Sequence, residues 1–152
     1  MTRAFRRNRS QGSQEVVLKA QHKQVAALCL RPGTVGTEVL LITSRGTGRW
    51  IIPKGWPIEG KTDVEAALEE AWEEAGVTHA RPDETPWGAF HYLKHQETEA
   101  PLLIKATVFR FHVSSLSDTY PEAKERQRAW FSQADAADQI QEPELQALIR
   151  AL

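Results

Sequence analysis

The sequence predicts an α/β (α+β) domain in which a central mixed sheet lies between helices. Three observations predict it. Strand-length apolar runs and amphipathic segments alternate in the order strands, helix, strands, helix, helix. The longest run, Leu102 to Val113, is apolar on both of its period-two faces, as expected of a strand covered on each side. Residues 63–75 carry both a start and a stop signal for a helix.

Taken in order, residues 1–20 read as a polar tail with few apolar residues to pack. Its arginines, Arg3, Arg6, Arg7 and Arg9, are followed by no apolar stretch of the kind a secretory signal needs. Residues 21–152 read as a single domain. Pro32-Gly33 is a turn signal between two strand-like runs, which suggests a hairpin. Val39 to Ile42 and Trp50 to Ile52 read as short buried strands. The helix over 63–75 opens on a capping box, Thr62 with Glu65, and Gly76 suits the left-handed residue past its last turn. Val64, Ala67, Leu68, Ala71 and Ala75 form its apolar face.

Pro82 and Pro86 then bracket a loop, and Trp87 to Leu93 begins another strand. A polar excursion, Lys94 to Glu99, leads into the long run. There, Lys105 and Arg110 fall on opposite faces. Arg128 to Phe131 reads as a last strand. Ser132, with Asp135 three residues on, caps a short helix, and Pro143 opens a terminal helix ending near Leu152.

The chemistry concentrates on the first helix. Glu70, Glu73 and Glu74 share one face, next to the apolar one. Like charges one turn apart on a helix cost roughly 0.2–0.5 kcal/mol per pair. Acids in the C-terminal half also oppose the macrodipole. A solvated face gains nothing from this clustering, whereas a hard divalent cation reverses the sign of the energy. The pattern reads as a metal site fed by the glycine loop Pro53-Lys54-Gly55.

In register, Gly55, Glu70, Ala71, Glu73, Glu74, Gly76 and Val77 fall on the pattern of the Nudix box, and the segment resembles it. Two positions depart: Lys61 stands where the family has its first Glu, and Glu69 stands where it has Arg. The likeness extends over roughly residues 23–140. Gln24 to Arg31, Glu38 to Thr43, Arg49 to Gly55 and Arg126 to Phe131 are similar to the diphosphoinositol and dinucleoside polyphosphate hydrolase branch.

The resemblance implies the α/β/α sandwich of that family and hydrolysis of a diphosphate linkage assisted by Mg²⁺ or Mn²⁺. It implies Glu70 and Glu74 as the main metal ligands, with a backbone carbonyl at or beside Gly55. Glu73 would be the general base or share the metal. Cationic partners for the substrate phosphates are expected among Arg45, Arg49 and Lys54, which flank the glycine loop. By similarity, Lys23, Arg31, Lys105 and Arg126 join them. Some members keep an extra base or a specificity loop where His95, Glu97 and Glu99 stand here. Trp56 and Trp87 are candidates to stack a nucleobase.

In the family, the arginine at position 69 orients the neighbouring carboxylates. Glu69 cannot donate, so Glu69→Arg is expected to tighten metal binding. Lys61 is expected to point at substrate or solvent rather than to pair with Glu69.

Composition narrows the classes. The chain has 152 residues, 41% hydrophobic and 26% charged, with a net charge of −1, so nothing pulls it globally toward nucleic acid or an anionic membrane. No apolar stretch is long enough to span a bilayer. Cys29 is the only cysteine, which excludes an internal disulfide and fits a buried residue in a reducing, cytoplasmic setting. The expected partner is a phosphorylated small molecule, a dinucleoside or diphosphoinositol polyphosphate, acted on by a monomer or homodimer. Nucleic acid is not expected, and removal of pyrophosphate from RNA 5′ ends has only the tail arginines behind it. The competing reading, prompted by Glu69, is a catalytically impaired protein of the same fold that senses such a ligand.

Overall fold

β1 (His22–Pro32) is the strand around which the sheet is built. The computed structural model describes residues 21–152; the expected tail, residues 1–20, lies outside the described residues. β1 turns through a tight reversal, closed by Gly33 N–H donating to the Gly36 carbonyl, into antiparallel β2 (Thr37–Thr43). This is the hairpin that Pro32-Gly33 signals. Two short strands follow, β3 (Trp50–Ile51) on β2 and β4 (Lys54–Gly55) on β1.

Helix α1 (Asp63–Ala75) comes next, then β5 (Val77–Pro82), β6 (Gly88–Lys94) and the long β7 (Leu102–Leu116). β7 pairs parallel with β1 and antiparallel with β5 and β6, so the sheet is mixed. β8 (Arg128–Ser132) pairs antiparallel with β2. Helices α2 (Gln133–Gln139) and α3 (Pro143–Arg150) end the chain.

Alternation along β1 divides the core into two layers. Val25, Ala27 and Cys29 pack with Phe109, Phe111 and the apolar face of α1. Ala26, Leu28 and Leu30 pack with Ala106, Val108, Phe90 and the α2–α3 pair. Both faces of the β1–β7 ladder are therefore buried, as a parallel pair requires. The result is the predicted α/β/α sandwich. Burial pushes the Cys29 thiol up to about 12, so it behaves as a small core residue.

α1 forms as its ends dictate. Thr62 Oγ1 accepts from the Glu65 N–H at 3.1 Å, and the Glu65 carboxylate accepts from the Thr62 N–H at 2.8 Å. Gly76 closes the helix with φ 74°. After it, β5 fills Val77–Pro82, paired with β7 through irregular register, and the loop bracketed by Pro82 and Pro86 follows.

Candidate active site

β4 and α1 make the centre of the site. β4 is held on β1 by the pairs Val25↔Gly55 and Ala26↔Lys54, and the Glu70 carboxylate lies flat against Gly55. A Cβ at position 55 would run into that carboxylate and displace it. One turn on, Glu74 is 7% exposed and accepts from the Lys54 backbone N–H at 3.4 Å. Glu70 and Glu74, one turn apart on α1, act on each other's ionisation.

Two carboxylates at this depth cannot both ionise cheaply. Burial, and then the neighbouring Glu74 carboxylate, push the Glu70 pKa up to about 8. Burial also raises Glu74, against the lowering effect of Arg126. Glu73 is raised by burial and by the charge of Glu69. Lys54 is pushed down to about 8, chiefly by burial, with its ammonium 4.9 Å from the centre of the Tyr92 ring. The Tyr92 hydroxyl in turn donates to the Gln24 side chain.

Among the described residues, no three His, Cys, Asp or Glu groups already converge as a metal cluster. The donor set nonetheless suits Mg²⁺ or Mn²⁺. It is made of carboxylate oxygens, in excess of the nearby cations and partly withdrawn from water, which is what a hard cation takes.

The cationic residues expected from sequence separate into groups. Arg126 reaches the cluster, with Nη2 3.8 Å from Glu74 Oε1. Lys54 adjoins it through its backbone and charge. Arg49 lies beyond Lys54, its fork bidentate on Glu142 at 2.8 and 3.4 Å. Arg45 stands at the rim, 58% exposed, 3.2 Å from Glu125 and 3.9 Å from Glu122. It lines an open groove formed by residues 43–48 and 124–127.

Two others are not brought in. Arg31 pairs with Glu38 at 2.7 Å and covers Trp130, five residues along β1 from Ala26, a distance of about 16 Å. Lys105 sits beside Lys23 in the β1–β7 register, with Pro57, Asp63 and Thr107 around a small cavity near the start of α1.

Lys61 corrects an expectation: its ammonium is 3.4 Å from Glu69 Oε2, so the two exchanged charges do pair. Both are substantially exposed, and such a pair contributes little. Trp87 is structural, its indole N–H donating to the Leu148 carbonyl at 2.9 Å under the Arg110 guanidinium. Trp56 is 43% exposed next to Gly55. His91 and His112 are occupied by Glu144 and Asp83, and His95, Glu97 and Glu99 remain exposed on the β6–β7 loop.

Three residues escape a sequence reading. Glu122, in the β7–β8 loop, is docked on α1 by its N–H donating to the Glu73 carbonyl at 3.0 Å, and its charge acts on Glu70, Glu73 and Glu74. Arg128 donates to the Ala75 carbonyl at the end of α1, to the Ser117 carbonyl and to Asp118, each at 2.8 Å. Glu142 holds Arg49. A local cue exists for Glu122 alone: it stands four residues before Arg126, to which it is paired at 2.8 Å.

Comparison with known proteins agrees with this arrangement. The NUDIX domain family matches residues 20–152. The chain is 36% identical over 106 residues to "Nudix hydrolase 21, chloroplastic" of Arabidopsis thaliana, covering 68% of this chain and 50% of that protein. It is 33% identical over 107 residues to "Nudix hydrolase 16, mitochondrial" of the same plant, covering 70% and 59%. The chain thus spans about half the length of the curated relatives it matches. The crystal structure of C. elegans Ap4A hydrolase shares the fold, with a TM-score of 0.59 and 21% identity over 85% of this chain and 93% of that one. With the box residues gathered at one site on this sandwich, and the family match running from residue 20 to the last residue, the chain belongs to the Nudix family.

Proposed function

We propose that this protein is a metal-dependent pyrophosphohydrolase that cleaves a diphosphate linkage in a dinucleoside polyphosphate or a diphosphoinositol polyphosphate. The observation that carries the reading is the placement of Glu70 against Gly55 and of Glu74 on the Lys54 backbone N–H, two half-buried to buried carboxylates at the glycine loop. Glu70, Glu74 and backbone oxygen at Gly55 would hold Mg²⁺ or Mn²⁺, with Glu73 alongside. The ion would supply charge neutralisation on the phosphate oxygens and acidify water.

The remaining work falls to the chain. Glu73, whose pKa is raised, takes the proton from the attacking water. The water oxygen bonds to phosphorus as the bridging P–O bond breaks, and the leaving phosphate departs as an anion. Arg45 and Lys54 neutralise outer phosphates, and Arg49 does so if its fork swings from Glu142. Exposed Trp56 beside the glycine loop offers a ring to a nucleobase, which favours the dinucleoside polyphosphate. The C. elegans protein named an Ap4A hydrolase has the same fold.

The test is phosphate-product release from diadenosine polyphosphates, nucleoside di- and triphosphates, ADP-ribose and diphosphoinositols, with Mg²⁺ or Mn²⁺. Turnover is expected on one polyphosphate class. Glu74→Gln should reduce it by more than the roughly 10–100-fold that outer-shell partners of a metal cost. Thermal stabilisation by a ligand with no turnover would replace the hydrolase with a binding protein.

A further inference from the structure

The carboxylate face of α1 contains no cation of its own. Glu69, Glu70, Glu73 and Glu74 are all acids, and the docked loop adds Glu122. Glu69 lies one turn before Glu73 and adds a negative charge where an arginine would add a positive one. Lys61 is spent on Glu69 at the outer edge. Among the described residues, Arg126 is the one cationic side chain within 4 Å of Glu74.

Its side chain is 8% exposed, and two of its three nitrogens donate hydrogen bonds. Nε donates to Glu122 Oε1 at 2.8 Å, Nη1 donates to the Thr43 carbonyl at 3.0 Å, and Nη2 faces Glu74 Oε1 at 3.8 Å. A planar fork anchored through two of its nitrogens has a fixed position, with its third nitrogen turned to Glu74. Two of its partners belong to the acid cluster. The third anchors it to the end of β2.

From this geometry we infer that Arg126 is the positioning residue for the metal-binding carboxylates, supplying from the β7–β8 loop the cation that Glu69 has removed from the box. Arg126 touches neither substrate nor the reacting atoms. It holds Glu74 and Glu122 in place and offsets their charge. The inference rests on the reading of this site as a divalent-metal site. It accounts for a Nudix box that keeps its three acids while losing its arginine. It also means that a Glu at position 69 need not disable the site.

The test is Mn²⁺ binding without substrate, followed by titration calorimetry and by the EPR signal of free Mn²⁺, with circular dichroism to score folding. Arg126→Gln should weaken Mn²⁺ binding about 10–100-fold, the usual effect of removing an outer-shell partner. Arg126→Lys, a point charge that cannot serve three partners, should fall between it and the wild type. Restoring the family's arrangement in the same protein, Lys61→Glu with Glu69→Arg and Arg126→Gln, should recover most of the lost affinity. Glu69→Arg alone should gain much less than it gains in the Arg126→Gln background, a coupling that a double-mutant cycle reads directly.

A folded Arg126→Gln protein that binds Mn²⁺ as the wild type does overturns the inference, and a loss seen only in KM returns Arg126 to the substrate. If Arg126→Gln does not fold, wild-type affinity in Arg126→Lys overturns it equally. Mn²⁺ binding that follows the expected order, in a protein that turns over no polyphosphate, supports the role of Arg126 and removes only the hydrolase. A wild type that binds no Mn²⁺ overturns both.

Discussion

Glu70 carries the most information of any single side chain in the site. Its pKa stands at about 8 in the folded chain against 4.5 for the free side chain, first because it is buried and second because Glu74 is beside it. Between those two values the folded state holds a proton that the unfolded state has released. Stability of the metal-free protein from this group therefore falls as pH rises from about 4.5 to 8, and the full penalty is present above that window. A divalent ion needs the carboxylate form. The rise in Tm on adding Mn²⁺ should thus be larger at pH 8 than at pH 6, with melts at both values as the check. An equal rise would mean that Glu70 is not the proton carrier. The identity of the acids was legible in sequence because helical spacing puts them on one face. The partners of those acids were not: Glu122 and Arg126 meet α1 only after the chain has travelled through β5, β6 and β7.

At the scale of elements, local signals read well and relayed ones did not. Both ends of α1 could be placed because Thr62, Glu65 and Gly76 act within one turn of the residues they cap. Ser132 before α2 and Pro143 at the start of α3 were placed for the same reason. β5 carries no such signal, because its exposed residues and terminal Pro82 hide a strand whose partner, β7, lies some thirty residues on. The two-residue β4 has no periodicity to find. The unfavourable placement of acids near the C-terminus of α1 is answered by another element, through Arg128 on the Ala75 carbonyl and Arg126 by Glu74. Gly76 tests that junction. It sits at φ +74°, and a Cβ there would strike the Arg128 guanidinium, the Ser117 carbonyl and the Tyr120 ring. Gly76→Ala should cost at least the about 1–2 kcal/mol of a left-handed non-glycine residue. Urea denaturation measures it, and a loss under a few tenths of a kcal/mol would show that the junction relaxes freely.

For the whole molecule, the sandwich was foreseeable from one strand. Leu102 to Val113 is apolar on both faces, and a sheet covered on both sides by helices is the arrangement that buries such a strand. The observed split bears this out, with Phe109 and Phe111 packing toward α1 and Ala106 and Val108 toward α2 and α3. Strand order was not foreseeable. β1 receives β7 as a parallel neighbour only because the chain crosses over through α1, β5 and β6, and no residue of β1 announces that. The same crossover delivers the β7–β8 loop to the carboxylates.

β8 is an edge strand among the described residues, bonded to β2 alone. It carries Arg128 and is preceded two residues earlier by Arg126, so the charge balance of the site depends on a strand that can open without global unfolding. Each such opening strips both guanidiniums from α1 at once and leaves Lys54 as the cation beside the acids. Ion binding and strand opening therefore oppose one another. Amide hydrogen exchange in residues 128–132 should slow when Mn²⁺ saturates the protein, while the deep core of β1 keeps its rate. Unchanged exchange at the edge would show that β8 and the site open independently.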